Sequence, residues 1–149
     1  MILGHIGVRK GSKGVPRKNF KMICGKPLID WSLEQLLEHS QVDAVVVSTD
    51  DEAIYAHAVT KGTLAIGLRP DHLATDTAAK WDVWQHALQA SEKLVGEIDV
   101  FLDLDATSPL RFTYSYLRKS LCLFDVTRLW IHVARQSKNV SENLDTNVE

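Results

Sequence analysis

The sequence predicts an α/β fold of three layers, doubly wound around a mostly parallel sheet, and three observations carry that prediction. Short apolar or β-branched runs alternate with longer segments in which apolar residues recur at helical spacing. Polar, charged loops separate them, and strands joined through helices lie side by side in parallel with right-handed crossovers. The 149 residues amount to one domain's length and suffice to bury a core, so the alternation describes a single folded unit.

Residues 2–8 are apolar with small residues among them and read as a buried strand. A charged loop follows, ending at Asn19. Pro27 suits the first turn of a helix running to about His39, with Ile29, Leu33, Leu36 and Leu37 on one face. The run from Asp43 to Ser48 is a β-branched strand, and Thr49-Asp50-Asp51-Glu52 supplies an N-cap and first-turn acids for a second helix. Ile54 and Ala58 form its inner face, Gly62 closes it, and Thr63 to Gly67 is a short third strand. The polar loop 68–77 leads into a long helix from about Thr77 to Leu94, in which Trp81, Trp84 and Leu88 make an apolar stripe with Val83 and Ala87 beside it. That spacing favours core packing for the tryptophan pair over a base-stacking platform. Residues 98–104 are the fourth strand, residues 105–111 a loop, and Thr113 to Phe124 a further helix. Val126 to Arg135 offers one more strand, and 136–149 reads as a frayed polar tail. The folded domain is therefore expected over residues 1–125, with a divergent tail at 126–149.

The loop after the first strand is chemically the most distinctive stretch. Seven basic residues (Arg9, Lys10, Lys13, Arg17, Lys18, Lys21, Lys26) and no acidic one lie between positions 9 and 26, while the whole chain carries 17 basic and 19 acidic residues. Gly11 and Gly14 allow close backbone approach, Ser12 brings a hydroxyl, and successive amides can form a nest for an anion. A polyphosphate is the natural guest. A cluster of lysines and arginines in a turn is often no more than a solvated surface. The position decides otherwise, because ligands of a parallel sheet sit outside the carboxyl ends of its strands. The loops 9–19, 49–52, 68–77 and 105–111 all follow strands and are expected along one edge. Neither the Walker A spacing nor the dinucleotide Gly-x-Gly-x-x-Gly occurs.

Composition narrows the remaining classes. A hydrophobic content of 45%, charged content of 24% and net charge of −2 exclude disorder and give no reason to expect nucleic-acid affinity from the chain as a whole. Cys24 and Cys122 cannot build a framework of disulfides and read as reduced thiols of a cytoplasmic protein. The apolar N-terminus is too short for a signal peptide or a membrane span, and no other run is long enough, so no membrane association is expected.

Five stretches together resemble the acylneuraminate cytidylyltransferases: Arg9-x-Gly-Ser-Lys-Gly-Val-Pro-Arg-Lys-Asn19, Gly25-Lys-Pro-Leu28, Val46-Val-Ser-Thr-Asp-Asp51, Leu68-Arg-Pro70 with Leu73-Ala-Thr-Asp-Thr77, and Thr107-Ser-Pro-Leu-Arg111. They stand in the family's order over residues 1–125. The resemblance implies a Rossmann-like, nucleotide-diphospho-sugar transferase-like fold. It also implies transfer of CMP from CTP to the anomeric hydroxyl of a sialic or related nonulosonic acid, with Mg²⁺ or Mn²⁺ assisting and pyrophosphate released. Departure of pyrophosphate requires positive charge on the β- and γ-phosphates, which Arg9, Lys13 and Lys18 can supply beside the amides around Gly11, Ser12 and Asn19. By the same resemblance Arg69 holds the nucleotide, and Asp76, Asp105 and Thr107 face base, ribose or α-phosphate.

Alternatives stay open at several positions. Asp76 is equally readable as the N-cap of the following helix, and Asp50 and Asp51 read as cap residues. Asp103 and Asp105 alternate onto one face of a strand end, so Asp105 is a candidate metal ligand, against the alternative of a solvated carboxylate. Where the family often has Gln-Pro-Thr-Ser-Pro-Leu this chain has Asp105-Ala106-Thr107-Ser108-Pro109-Leu110, and Lys80 stands where the family places a serine. The family continues further, with a segment that crosses a homodimer, contacts to the acidic sugar, and a late carboxylate pair for the metal. The expectation is thus a truncated or divergent member. A silent CTP-binding remnant, another sugar nucleotidyltransferase, and an anion binder are the alternative readings.

Overall fold

A computed structural model describes residues 1–11 and 14–108, together with the backbone of 131–132. Strand β1 (Ile2–Gly7) lies at the centre of the sheet and pairs in parallel with β4 (Ala44–Ser48) on one side and β5 (Val100–Leu104) on the other. A short strand β6 (Ile131–His132) runs antiparallel to β5, so the four-stranded order is β4-β1-β5-β6 and the sheet is mostly parallel. The third strand expected at 63–67 is reduced to one parallel bridge, Val46 to Leu64, extended only by the Leu64 amide donating to the Val45 carbonyl at 2.8 Å.

The period-2 alternation of the strands sorts their side chains into two layers of core. Ile6, Val45, Val47, Leu102 and Leu104 face helices α1 (Leu28–Leu37) and α2 (Glu52–Thr60), whose Ile29, Leu33, Leu36, Ile54 and Ala58 are buried against them. Leu3, Val46 and Phe101 face helix α3 (Lys80–Val95), which buries Trp84 and Ala87. Helices on both faces of a parallel sheet are the three expected layers.

Local chemistry explains the element ends. Asp51 caps α2, accepting from the amides of Ala53 (2.9 Å) and Ile54 (3.3 Å) as the sequence suggests. Pro27 lies just before α1 and pairs with Met22 in a hairpin, β2 (Met22–Ile23) and β3 (Lys26–Pro27), that the sequence reading does not contain. Its two-residue turn, Cys24-Gly25, has positive φ at both positions (48° and 86°), the geometry that suits tight hairpins.

Three expectations are corrected. Leu37 sits at the end of α1, where the helix face has rotated off the sheet, and is exposed rather than core. Trp81 is half exposed, because the face of α3 turned to the sheet runs through Val83, Trp84, Ala87 and Ser91, and its ring meets Trp84 edge-on at 6.4 Å. Helix α3 also begins at Lys80 rather than Thr77, with Ala79 at its N-cap in an extended conformation, which leaves 74–79 free to follow the site. The helix expected at 113–124, Cys122 and the polar tail lie outside the described residues.

Leu33 is fully buried between α1 and the sheet. Leu33→Ala is expected to lower stability by about 2–5 kcal/mol, and Asp51→Ala, which removes the α2 cap, by about 1 kcal/mol. Urea unfolding followed by circular dichroism checks both.

Candidate active site

Because β1, β4 and β5 are parallel, the segments that follow them leave the sheet at one edge, and two adjoining pockets open there. The first, of about 450 Å³, is lined by Gly7, Val8, Arg9, Gly14, Lys18, Asn19, Asp105, Ala106 and Thr107. The second, of about 270 Å³, shares Gly7, Val8 and Arg9 with it. Its own walls come from His5, Arg69, Asp76 and Lys80 on the polar side and Leu73, Ala78, Val83 and Trp84 on the apolar side.

The basic loop is anchored at both ends. The Lys10 amide donates to Asp50 Oδ1 at 2.8 Å, so Asp50 ties the loop to the end of β4 and is no capping residue. At the other end, Arg17 takes a left-handed conformation (φ 49°) that leads into a single 3-10 turn, Lys18–Phe20, in which Asn19 is buried. Phe20 packs on the α1/α2 core, its ring edge-on to His57 at 5.6 Å, and Arg17 lies over the Phe20 ring. His57 Nε2 in turn faces Asp30 Oδ1 at 2.6 Å, and Lys61 Nζ reaches Asp30 Oδ2 at 3.2 Å, so a buried carboxylate between α1 and α2 braces the loop from beneath. The Lys61 pKa is raised by its hydrogen bond to Asp30, then by the charges of Asp30 and Glu34.

The structure brings together Arg9, Lys18, Asn19, Asp105 and Thr107 in the first pocket and Arg9, Arg69 and Asp76 in the second. Gly11 has open space where a side chain would stand and lines neither pocket, while Ser12 and Lys13 lie outside the described residues. Arg69 is buried, with Nε donating to Ser48 Oγ at 3.0 Å and Nη2 to the Ser48 carbonyl at 2.5 Å. Burial lowers its pKa, with the Asp50 charge opposing and the Arg9 charge adding to the shift. Asp76 does not cap α3, since Ala79 occupies that position; its carboxylate instead pairs with the Arg9 guanidinium across the mouth of the second pocket.

Asp103 and Asp105 do not act as a pair. Asp103 is buried beside the second pocket, whereas Asp105 lines the first, its Oδ1 accepting from the Thr107 amide (2.8 Å) and hydroxyl (2.7 Å). Among the described residues no group of three or more His, Cys, Asp or Glu side chains is placed to hold a metal ion.

Sequence reasoning passed over His5 and considered Asp103 only beside Asp105. In-register pairing of β1 with β5 puts His5 and Asp103 side by side on the α3 face, with His5 Nδ1 and Asp103 Oδ1 2.7 Å apart and Lys80 Nζ 2.8 Å from Asp103 Oδ2. Lys80 also lies over the Trp84 ring, its Nζ 4.9 Å from the centroid. Burial lowers the His5 pKa against the upward pull of Asp103. Burial alone would raise Asp103, but the contacts with His5 and Lys80 outweigh it and hold the carboxyl below its ordinary value. The pair is thus a neutral imidazole donating to a carboxylate whose charge Lys80 balances. The available signal was a polar residue inside each of two apolar strands, readable only with the register.

The pKa values of His5 and His86 both lie below the ordinary 6.5, in each case chiefly through burial. Above 6.5 folded and unfolded imidazoles are alike neutral. Below it the unfolded chain takes up protons that the folded chain does not, so stability is expected to fall as pH drops through 6.5 toward the folded values. Thermal midpoints measured from about pH 7.5 to about pH 5 check this, and His5→Phe is expected to flatten the slope.

The chain is 35% identical over 136 residues to an N-acylneuraminate cytidylyltransferase of Escherichia coli O18:K1:H7, covering 85% of this chain and 31% of that protein. It is 40% identical over 114 residues to a CMP-N,N'-diacetyllegionaminic acid synthase of Legionella pneumophila, covering 74% of this chain and 47% of that protein. In fold it is similar to a CMP:2-keto-3-deoxy-manno-octonic acid synthetase solved in complex with CTP, at a TM-score of 0.58 and 24% identity, covering 76% of this chain and 43% of that one. The chain spans less than half the length of each of these proteins. Among the described residues no helix is long and apolar enough to cross a membrane. Residues 6–147 match the model of the cytidylyltransferase family, and the chain belongs to that family.

Proposed function

We propose that this chain binds CTP and forms the nucleotide-binding part of an enzyme that transfers CMP to the anomeric hydroxyl of a sialic acid or related nonulosonic acid. The observation that carries this reading is the pair of pockets meeting at Arg9. The first is polar and holds Arg9, Lys18 and Asn19, which suits a triphosphate. The second has an apolar wall of Leu73, Val83 and Trp84 opposite Arg69 and Lys80, which suits a base and ribose. Relatives named for CMP transfer to acidic sugars support the acceptor class.

In this reading the acceptor's anomeric oxygen bonds to the α-phosphorus as the bond to the β-phosphate oxygen breaks, pyrophosphate departs, and the hydroxyl proton passes to solvent. Arg9 and Lys18 hold the phosphate oxygens on which charge accumulates, with Lys13 and Ser12 of the same loop assigned to that role by sequence. Asn19, Asp105 and Thr107 border the same pocket and orient the substrate. Asp76 holds Arg9 in place until the triphosphate competes for it.

A divalent cation, Mg²⁺ or Mn²⁺, fits here in its sparse form: among the described residues Asp105 is the one carboxylate lining the first pocket and would hold it, with the remaining ligands drawn from phosphate and water. When bound, it neutralises charge on the phosphates. A homodimer and a cytoplasmic location complete the proposal, on the family resemblance.

Calorimetric titration with CTP, and with ATP and GTP as controls, followed by a pyrophosphate-release assay with N-acetylneuraminate, tests this. CTP-selective binding is expected, weakened about 10- to 100-fold by Arg9→Ala or Lys18→Ala as charge-assisted contacts are lost. Absence of nucleotide binding by the unaltered chain would overturn the reading.

A further inference from the structure

The ring of His5 is almost wholly buried, at 1% exposure, yet its Nε2 has no hydrogen-bond partner among the described residues. Buried polar atoms are rarely left in that state without a role. The ring cannot turn to find a partner, because Nδ1 is engaged by Asp103 and one face packs on Phe101, with centroids 5.0 Å apart. Since Nδ1 faces a carboxylate that Lys80 already neutralises, the proton sits on Nδ1 and Nε2 presents a lone pair.

That lone pair borders the second pocket. A methyl group built onto Gly7 would stand 3.1 Å from His5 Cε1, 3.8 Å from Nε2 and 3.6 Å from Arg69 Nη2. Having no side chain there, Gly7 leaves uncovered the approach from the second pocket to a hydrogen-bond acceptor on one side and a guanidinium donor on the other. A ligand edge that fills it must offer a donor beside an acceptor. A 4-aminopyrimidine does so, with its exocyclic amine next to a ring nitrogen and a carbonyl. The 4-oxo analogue would set a carbonyl lone pair against that of Nε2.

We propose that His5 is a specificity-determining residue whose Nε2 accepts a hydrogen from the exocyclic amine of the bound base, so that the pocket selects cytosine over uracil. This rests on the CTP reading given above. Asp103 and Lys80 are positioning residues, since they fix the tautomer and orientation of the imidazole without reaching the base through it.

The test compares CTP and UTP affinities of the unaltered protein and of His5→Phe by calorimetry, and follows the His5 nitrogens by ¹⁵N NMR as each nucleotide is added. The unaltered protein is expected to favour CTP by about tenfold or more. His5→Phe, which keeps a ring against Phe101, should bring the two nucleotides to one level, lowering CTP through loss of the hydrogen bond and raising UTP through loss of the lone-pair repulsion. The Nε2 resonance should move on addition of CTP and stay in place with UTP. Equal losses for both nucleotides, an unaltered CTP-to-UTP ratio, or an Nε2 resonance indifferent to saturating CTP would each overturn the assignment. CTP binding by the unaltered protein alongside any of these outcomes leaves the CTP reading standing, whereas binding of neither nucleotide removes both. Should His5→Phe fail to fold, the NMR titration of the unaltered protein decides.

Discussion

The parallel ladder of β1 with its two neighbours is the constraint on which the rest depends. With β1 hydrogen-bonded to β4 and β5 in the same direction, the basic loop, the Thr49-Asp50 turn and the Asp105-Thr107 turn must leave the sheet at one edge. The third strand is barely formed, yet the Arg69 amide still donates to the Thr49 carbonyl at 2.7 Å, which brings residues 69–78 to the same place. The register of that ladder also places His5 directly opposite Asp103. A slip of β1 by one residue would turn His5 into the opposite core, among Leu102 and Leu104, and leave Asp103 without it.

The site concentrates positive charge and then distributes it. Asp76 holds Arg9, Asp103 holds Lys80, and the backbone and hydroxyl of Ser48 hold Arg69. Each of these three cations is thereby held in a defined orientation. The carboxylates serve different ends: Asp103 is locked in a buried network, Asp105 is folded onto Thr107 in the wall of the first pocket, and Asp30 lies beneath the loop and braces it through His57 and Phe20.

Much of the fold was legible because apolar periodicity reports directly on burial. Ile29, Leu33, Leu36, Ile54 and Ala58 occupy the core faces that their spacing implies. The sequence order of the loops after strands was enough to gather Arg9, Lys18, Asn19, Arg69, Asp76, Asp105 and Thr107 at one edge. Misreadings fell where tertiary contacts compete with local propensity. Asp50 has the chemistry of a helix cap, but the Lys10 amide takes its carboxylate. Trp81 fits the apolar stripe of α3, yet the sheet meets the helix about a quarter turn away from it.

The sequence by itself determined the layered architecture, the basic loop after the first strand and the family motifs, since periodicity, charge density and spacing are properties of neighbouring residues. Only the tertiary structure decided which polar residues act together. His5, Lys80 and Asp103 are far apart in the chain, and nothing in their local surroundings reports that strand register joins the first to the third and the start of α3 brings the second. Pairings between distant residues depend on register and helix placement, which the global packing sets.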